Sequence, residues 1–97
     1  MILGLWSLDE LGKDAGAAAT AGTSFVLAQN VESDDEVGAI VDRVVAAGGT
    51  VLQAPHRASF GGWNAYVADP DGHRWEICHN TGWSVGDDGT VHLGPVT

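Results

Sequence analysis

The chain has 97 residues, 44% of them hydrophobic, and a formal net charge of −9 with only four Lys and Arg. That length admits one domain, and the hydrophobic share is enough for a folded core. The charge excludes nucleic acid and anionic membrane surfaces as partners, since both need a basic face. A single cysteine, Cys78, excludes an internal disulfide. The first ten residues, MILGLWSLDE, lack a basic region followed by a long apolar run. No stretch approaches the roughly 18 apolar residues of a membrane span, so a cytoplasmic protein is expected.

Residues 2–6, ILGLW, are apolar and β-tolerant and read as a short strand; residues 8–13 read as a polar turn of helix or loop. AGAAATAG at 15–22 has flanking glycines and no bulky side chain, the composition of a flexible connector. SFVLAQNV at 24–31 is a strand by alternation, with Phe25, Leu27, Gln29 and Val31 on one face.

Ser33-Asp34-Asp35-Glu36 is a capping box with acids suited to the positive end of a helix dipole. Val37, Ile40, Val41, Val44 and Val45 then recur at helical spacing, and Gly48-Gly49 closes the run. The spacing predicts a helix over 34–47. A short strand at 50–53 should stop at Pro55, with a loop at 56–62. WNAYVA at 63–68 and HRWEICHN at 73–80 are joined by Asp69-Pro70-Asp71-Gly72, a strong turn signal, into a hairpin. Asp88-Gly89 turns a small second hairpin with residues 90–93 as its far arm. The class is therefore α+β: strand, helix and three strands, with one helix packed on a small mixed, curved sheet and an N-terminal strand before it.

Three segments, FVLAQNV, AAGGTVLQAP and above all YVADPDGHRWEI, occur in the order of a βαβββ module. Residues 24–83 that carry them resemble the C-terminal module of the glyoxalase/bleomycin resistance protein/extradiol dioxygenase superfamily, the vicinal oxygen chelate fold. The resemblance implies two paired modules that form a cup, with the active site between them. Residues 1–14 resemble only the end of a first module. The expected division is thus 1–22 as N-terminal strand and linker, a remnant of a first module, and 23–97 as the βαβββ module. The cup would be completed by homodimerisation, which would also cover exposed strand edges.

The resemblance also implies a metal-ligand position on the first strand, here Gln29, and one on the last, here Glu76. Arg74, Glu76, Cys78 and Asn80 share one side of the last strand, leaving Trp75 and Ile77 to pack under the helix. Glu76 is the candidate catalytic residue. Gln29 and Glu76 from two copies would make an oxygen-rich site for a divalent ion. The other reading is that the cup has no cofactor and Gln29 is simply bonded to Glu76. His56, Phe60, Trp63, Tyr66 and Cys78 are candidate ligand-binding residues around an apolar cup. His73 is expected at the turn, His79 in packing, and Cys78 as a quiet thiol with no base beside it. No spacing for structural zinc occurs.

Three functions compete. One is a metal-free module that binds a small molecule, such as a drug, favoured by the charge and by the missing histidine at position 29. The second is a metal-dependent lyase, isomerase or dioxygenase of the glyoxalase type using Gln29 and Glu76. The third is a remnant or assembly partner.

Overall fold

In a computed structural model, residues 2–18 and 25–94 are described. Helix α1 (Leu8–Ala15) begins where the Ser7 side chain accepts from the Glu10 amide at 3.2 Å, and ends at Gly16 in the left-handed region, φ 72°. After the residues outside the description come strand β1 (Leu27–Val31), helix α2 (Asp34–Ala46) and strands β2 (Thr50–Arg57), β3 (Trp63–Ala68) and β4 (Arg74–His79). Strands β5 (Trp83–Val85) and β6 (Val91–Leu93) form a separate two-stranded ribbon.

The main sheet has the order β1-β4-β3-β2, with β1 parallel to β4 and the remaining pairs antiparallel. Helix α2 lies on one face. Its Val37 and Val41 bury against Ala65 and Val67 of β3 and Ile77 of β4; Val31, Ile40, Val44, Trp63 and Trp75 surround this core. The periodic apolar stripe of α2 thus meets the apolar parity of the strands. The cap forms as expected, Ser33 Oγ accepting from the Glu36 amide at 3.2 Å, while the Glu36 carboxylate accepts from Glu32 N at 3.0 Å. Gly72 adopts φ 88° in the β3–β4 turn, and Asp69 Oδ1 accepts from the Asp71 and His73 amides.

Several expectations are corrected. Residues 2–6 carry no strand; Ile2, Leu3, Leu5 and Trp6 are exposed, and no strand among the described residues pairs with them. Residues 8–15 are a helix rather than partly connector, and 19–22 of the expected connector lie outside the described residues. Strand β1 starts at Leu27, since Phe25 and Val26 stand outside it; Ser24 is not described. Strand β2 continues through Pro55 to Arg57. It is an edge strand with register shifts between Val51 and Gln53 and between Gln53 and His56, so a residue without an N–H is tolerated there. No helix among the described residues is long and apolar enough to cross a membrane.

Candidate functional site

Strand parity divides the sheet into two faces. Cross-strand register aligns Trp63 with His79, Ala65 with Ile77 and Val67 with Trp75 on the face covered by α2. The opposite face carries Asn64 beside Cys78 and Tyr66 beside Glu76. Strand β2 adds His56 next to Asn64 and Gln53 next to Tyr66.

A polar row crosses this second face. The Asn64 side-chain nitrogen donates to Glu76 Oε2 at 2.8 Å, and the Tyr66 hydroxyl donates to Asp14 Oδ2 at 2.5 Å. Asp14 belongs to α1, so the row joins the helix to the sheet. Asn64 is fully buried, and its Oδ1 has no hydrogen-bond partner. Burial pushes the Glu76 carboxyl above its usual range; the Asn64 bond opposes that, and the Asp14 charge adds to it. Burial also raises the Tyr66 hydroxyl, reinforced by its bond to Asp14 and by the Glu76 charge. The Cys78 thiol is pushed up to about 12, first by burial and then by the charges of Glu76 and Asp14. It is a packing group rather than a nucleophile.

A cleft of about 330 Å³ opens between α1 and β2, lined by Trp6, Glu10, Lys13, Asp14, His56 and Ser59. Its walls stand next to the row: His56 pairs with Asn64 across the strands, and Asp14 is bonded to Tyr66. At the far end, the Phe60 ring lies so close to Gly62 that an added Cβ would meet Phe60 Cε2 at 2.5 Å and Cys78 Sγ at 3.3 Å. Arg74 reaches from the same face to the carbonyls of Ala17 and Ala18, at 3.1 Å each.

Of the residues singled out in the sequence, His56, Phe60, Tyr66, Glu76 and Cys78 come together on or beside this face. Two do not. Trp63 turns to the α2 face, where it packs against the core, carries the Arg57 guanidinium 5.4 Å from its ring centroid and lines an acidic groove with Asp34, Asp35 and Asp42. Parity forbids Trp63 and Tyr66, three positions apart, from sharing a face. Gln29 stands beside Ile77, and it is Ala28 that neighbours Glu76. Gln29 and Glu76 therefore do not form a ligand pair within the chain. No group of three His, Cys, Asp or Glu side chains is placed to hold an ion among the described residues. Within the chain, Glu76 accepts from Asn64 through Oε2.

His79, on the Trp75 face, meets Asp34 through Nδ1 at 2.7 Å, and Asp34 also lies 3.6 Å from Arg57. His73 is exposed after the turn. Sequence reasoning missed Asn64 and Asp14. Asn64 had a signal, an amide within an otherwise apolar strand and in phase with Tyr66. Asp14 had none, because 52 positions separate it from its partner.

A family model described as glyoxalase/bleomycin resistance protein/dioxygenase superfamily matches residues 8–77. Among solved structures, a glyoxalase-related enzyme from Fulvimarina pelagi is similar with a TM-score of 0.67 and 43% identity, over 92% of this chain and 65% of that one. A glyoxalase/bleomycin resistance protein/dioxygenase family enzyme from Burkholderia phytofirmans PsJN gives 0.58 and 28%, over 72% and 55%. A hypothetical protein from S. aureus gives 0.57 and 27%, over 65% and 55%. The chain thus spans less than two thirds of the length of each of these three. No curated protein matches.

Proposed function

Because this chain belongs to the glyoxalase/bleomycin resistance protein/dioxygenase superfamily, we propose that it binds a small organic molecule in the cleft between α1 and the open sheet face, without a metal. The observation that carries this reading is Glu76, a largely desolvated carboxyl tied to Asn64 on the face that the cleft opens beside. Desolvated titratable groups next to a concavity are characteristic of ligand sites. His56 lines the cleft and Tyr66 is tied to its wall through Asp14, and the raised pKa of Glu76 suits it to hold or release a proton toward a bound molecule.

Metal ions are often used in this superfamily. Within the chain the register sets Gln29 beside Ile77 and Ala28 beside Glu76, which weighs against the metal-dependent lyase, isomerase or dioxygenase reading that uses Gln29 and Glu76. Pairing with a second copy is part of the proposal. Exposed Ile2, Leu3, Leu5, Trp6 and Leu27, and the edge position of β1, support it. The buried, unpaired Cys78 thiol suits a reducing cytoplasmic setting.

The test is a fragment screen by NMR on isotopically labelled protein, with and without a chelator, alongside its mass by light scattering. Saturable shifts at Trp6, His56, Tyr66 and Cys78 that survive chelation are expected. Shifts that vanish with chelator and return with a divalent ion would replace this reading with the metal-dependent one. Shifts confined to the Trp63 groove would move the site to the other face.

A further inference from the structure

His56 brings a ring nitrogen with a fixed role to the wall of the cleft. Strand β2 shifts register between Gln53 and His56, where Pro55 has no N–H to give, and Ala54 has no partner in the β2–β3 pairing. The His56 Nδ1 meets the Ala54 carbonyl oxygen at 3.1 Å instead. A carbonyl oxygen only accepts, so Nδ1 carries the proton of that bond. Turning the ring over would set a carbon against the carbonyl and lose the bond.

A neutral imidazole has one ring proton, and here it sits on Nδ1. Nε2 is then a lone-pair acceptor, and among the described residues it has no hydrogen-bond partner. His56 is half-buried and lines the cleft with Trp6, Glu10, Lys13, Asp14 and Ser59. Both carboxylates of this lining already give an oxygen to the chain: Glu10 Oε1 pairs with Lys13 at 3.3 Å, and Asp14 Oδ2 accepts from Tyr66. Trp6, Lys13 and Ser59 supply donors, so acceptors on a bound molecule are also provided for. The exposed indole of Trp6 adds a flat apolar wall.

We infer that His56 is a specificity-determining residue of the cleft, its Nε2 accepting from an O–H or N–H donor on a molecule whose flat part lies against Trp6. This rests on the reading that the cleft takes a small molecule, and it adds the atom and the ligand chemistry. The Ala54 bond orients the ring before the ligand arrives, so less freedom is lost on binding. A ligand of the same shape without the donor would displace water from Nε2 and return no bond, which a site built to hydrogen-bond its ligand discriminates against.

The test titrates the labelled chain at pH 8 with phenol and with anisole, which are both flat and uncharged and differ in the donor. The His56 ring ¹⁵N resonances, assigned through the backbone, are followed. In the free protein they should report the proton on Nδ1. Phenol is expected to shift ¹⁵Nε2 saturably and to bind at least about ten-fold tighter than anisole. In His56→Phe that preference should fall to about two-fold or less; should the variant fail to fold, the wild-type ¹⁵Nε2 response decides. A free ring protonated on Nε2, anisole binding as tightly as phenol, or phenol binding without moving ¹⁵Nε2 overturns the inference and leaves the binding reading intact. No saturable shift at Trp6 or His56 with either probe overturns both.

Discussion

Asn64 and Glu76 sit on adjacent strands with the amide nitrogen 2.8 Å from the carboxylate, and the bond only partly offsets the desolvation of that carboxylate. The pair lies on the face opposite α2, beside the Tyr66–Asp14 bond that joins α1 to the sheet. Its balance between burial and hydrogen bonding gives the first measurable consequence.

Burial holds the folded-state pKa of Glu76 above the 4.5 of a free glutamate side chain. The folded chain therefore binds this proton more tightly than the unfolded chain. The resulting stability is fully present below about 4.5 and is lost as pH rises through the folded-state pKa. Glu76→Gln keeps an acceptor for Asn64 and removes the titration. Its melting temperature should exceed that of wild type at pH 7 and match it near pH 4, read by circular dichroism. A variant less stable than wild type at pH 7 would show that the ionised carboxylate is net favourable.

Tyr66→Phe removes the hydroxyl that ties α1 to the sheet through Asp14. A hydrogen bond to a charged group contributes about 1.5–3 kcal/mol. Amide exchange in α1 should accelerate by roughly ten- to a hundred-fold while β3 and β4 keep their protection. Equal exchange in both proteins would show that α1 is held by other contacts.

Cys78 is 3% exposed and its thiol is pushed up to about 12. An aromatic disulfide reagent at pH 8 should label the native protein at least about a hundred-fold more slowly than the unfolded chain. Rapid native labelling would place the thiol in an open cup.

Ser33→Ala deletes the oxygen that accepts from the Glu36 amide at 3.2 Å. The loss should be about 1 kcal/mol, or a fall in melting temperature of about 4–8 °C for a domain of this size. An unchanged midpoint would mean that the Glu36 contact to Glu32 carries the cap alone.

Gly72 has φ 88°, and an added Cβ would meet nothing within 4 Å. The cost of Gly72→Val is therefore one of backbone conformation rather than of space. It should be about 1–2 kcal/mol, seen as a lower urea midpoint with an unchanged slope. A changed slope would instead report a rearranged turn.

Helix α2, the β3–β4 hairpin and the small β5–β6 ribbon were legible because their signals are local: a cap with a helical stripe, a proline-glycine turn, and a short turn between alternating arms. The split of β4 into Glu76 and Cys78 on one side and Trp75 and Ile77 on the other was legible for the same reason, since the pleat has a period of two. Gln29 and Trp63 show where this stops. Alternation relates Gln29 to Leu27 and Val31 without saying which face of the sheet they join. Parallel pairing of β1 with β4, with Val31 against the core, settles that. Pro55 looked like a strand end, and the edge position of β2 made it harmless.

The sequence by itself determined the class of fold, the family and the common side of Glu76 and Cys78 on β4, because capping, periodicity and turn chemistry act over a few residues. Only the tertiary structure decided that Gln29 lies away from Glu76, that Asn64 is buried with its oxygen unpaired, and that Asp14 closes the row. Those depend on strand register and on contacts between residues up to 52 positions apart, which no local pattern encodes.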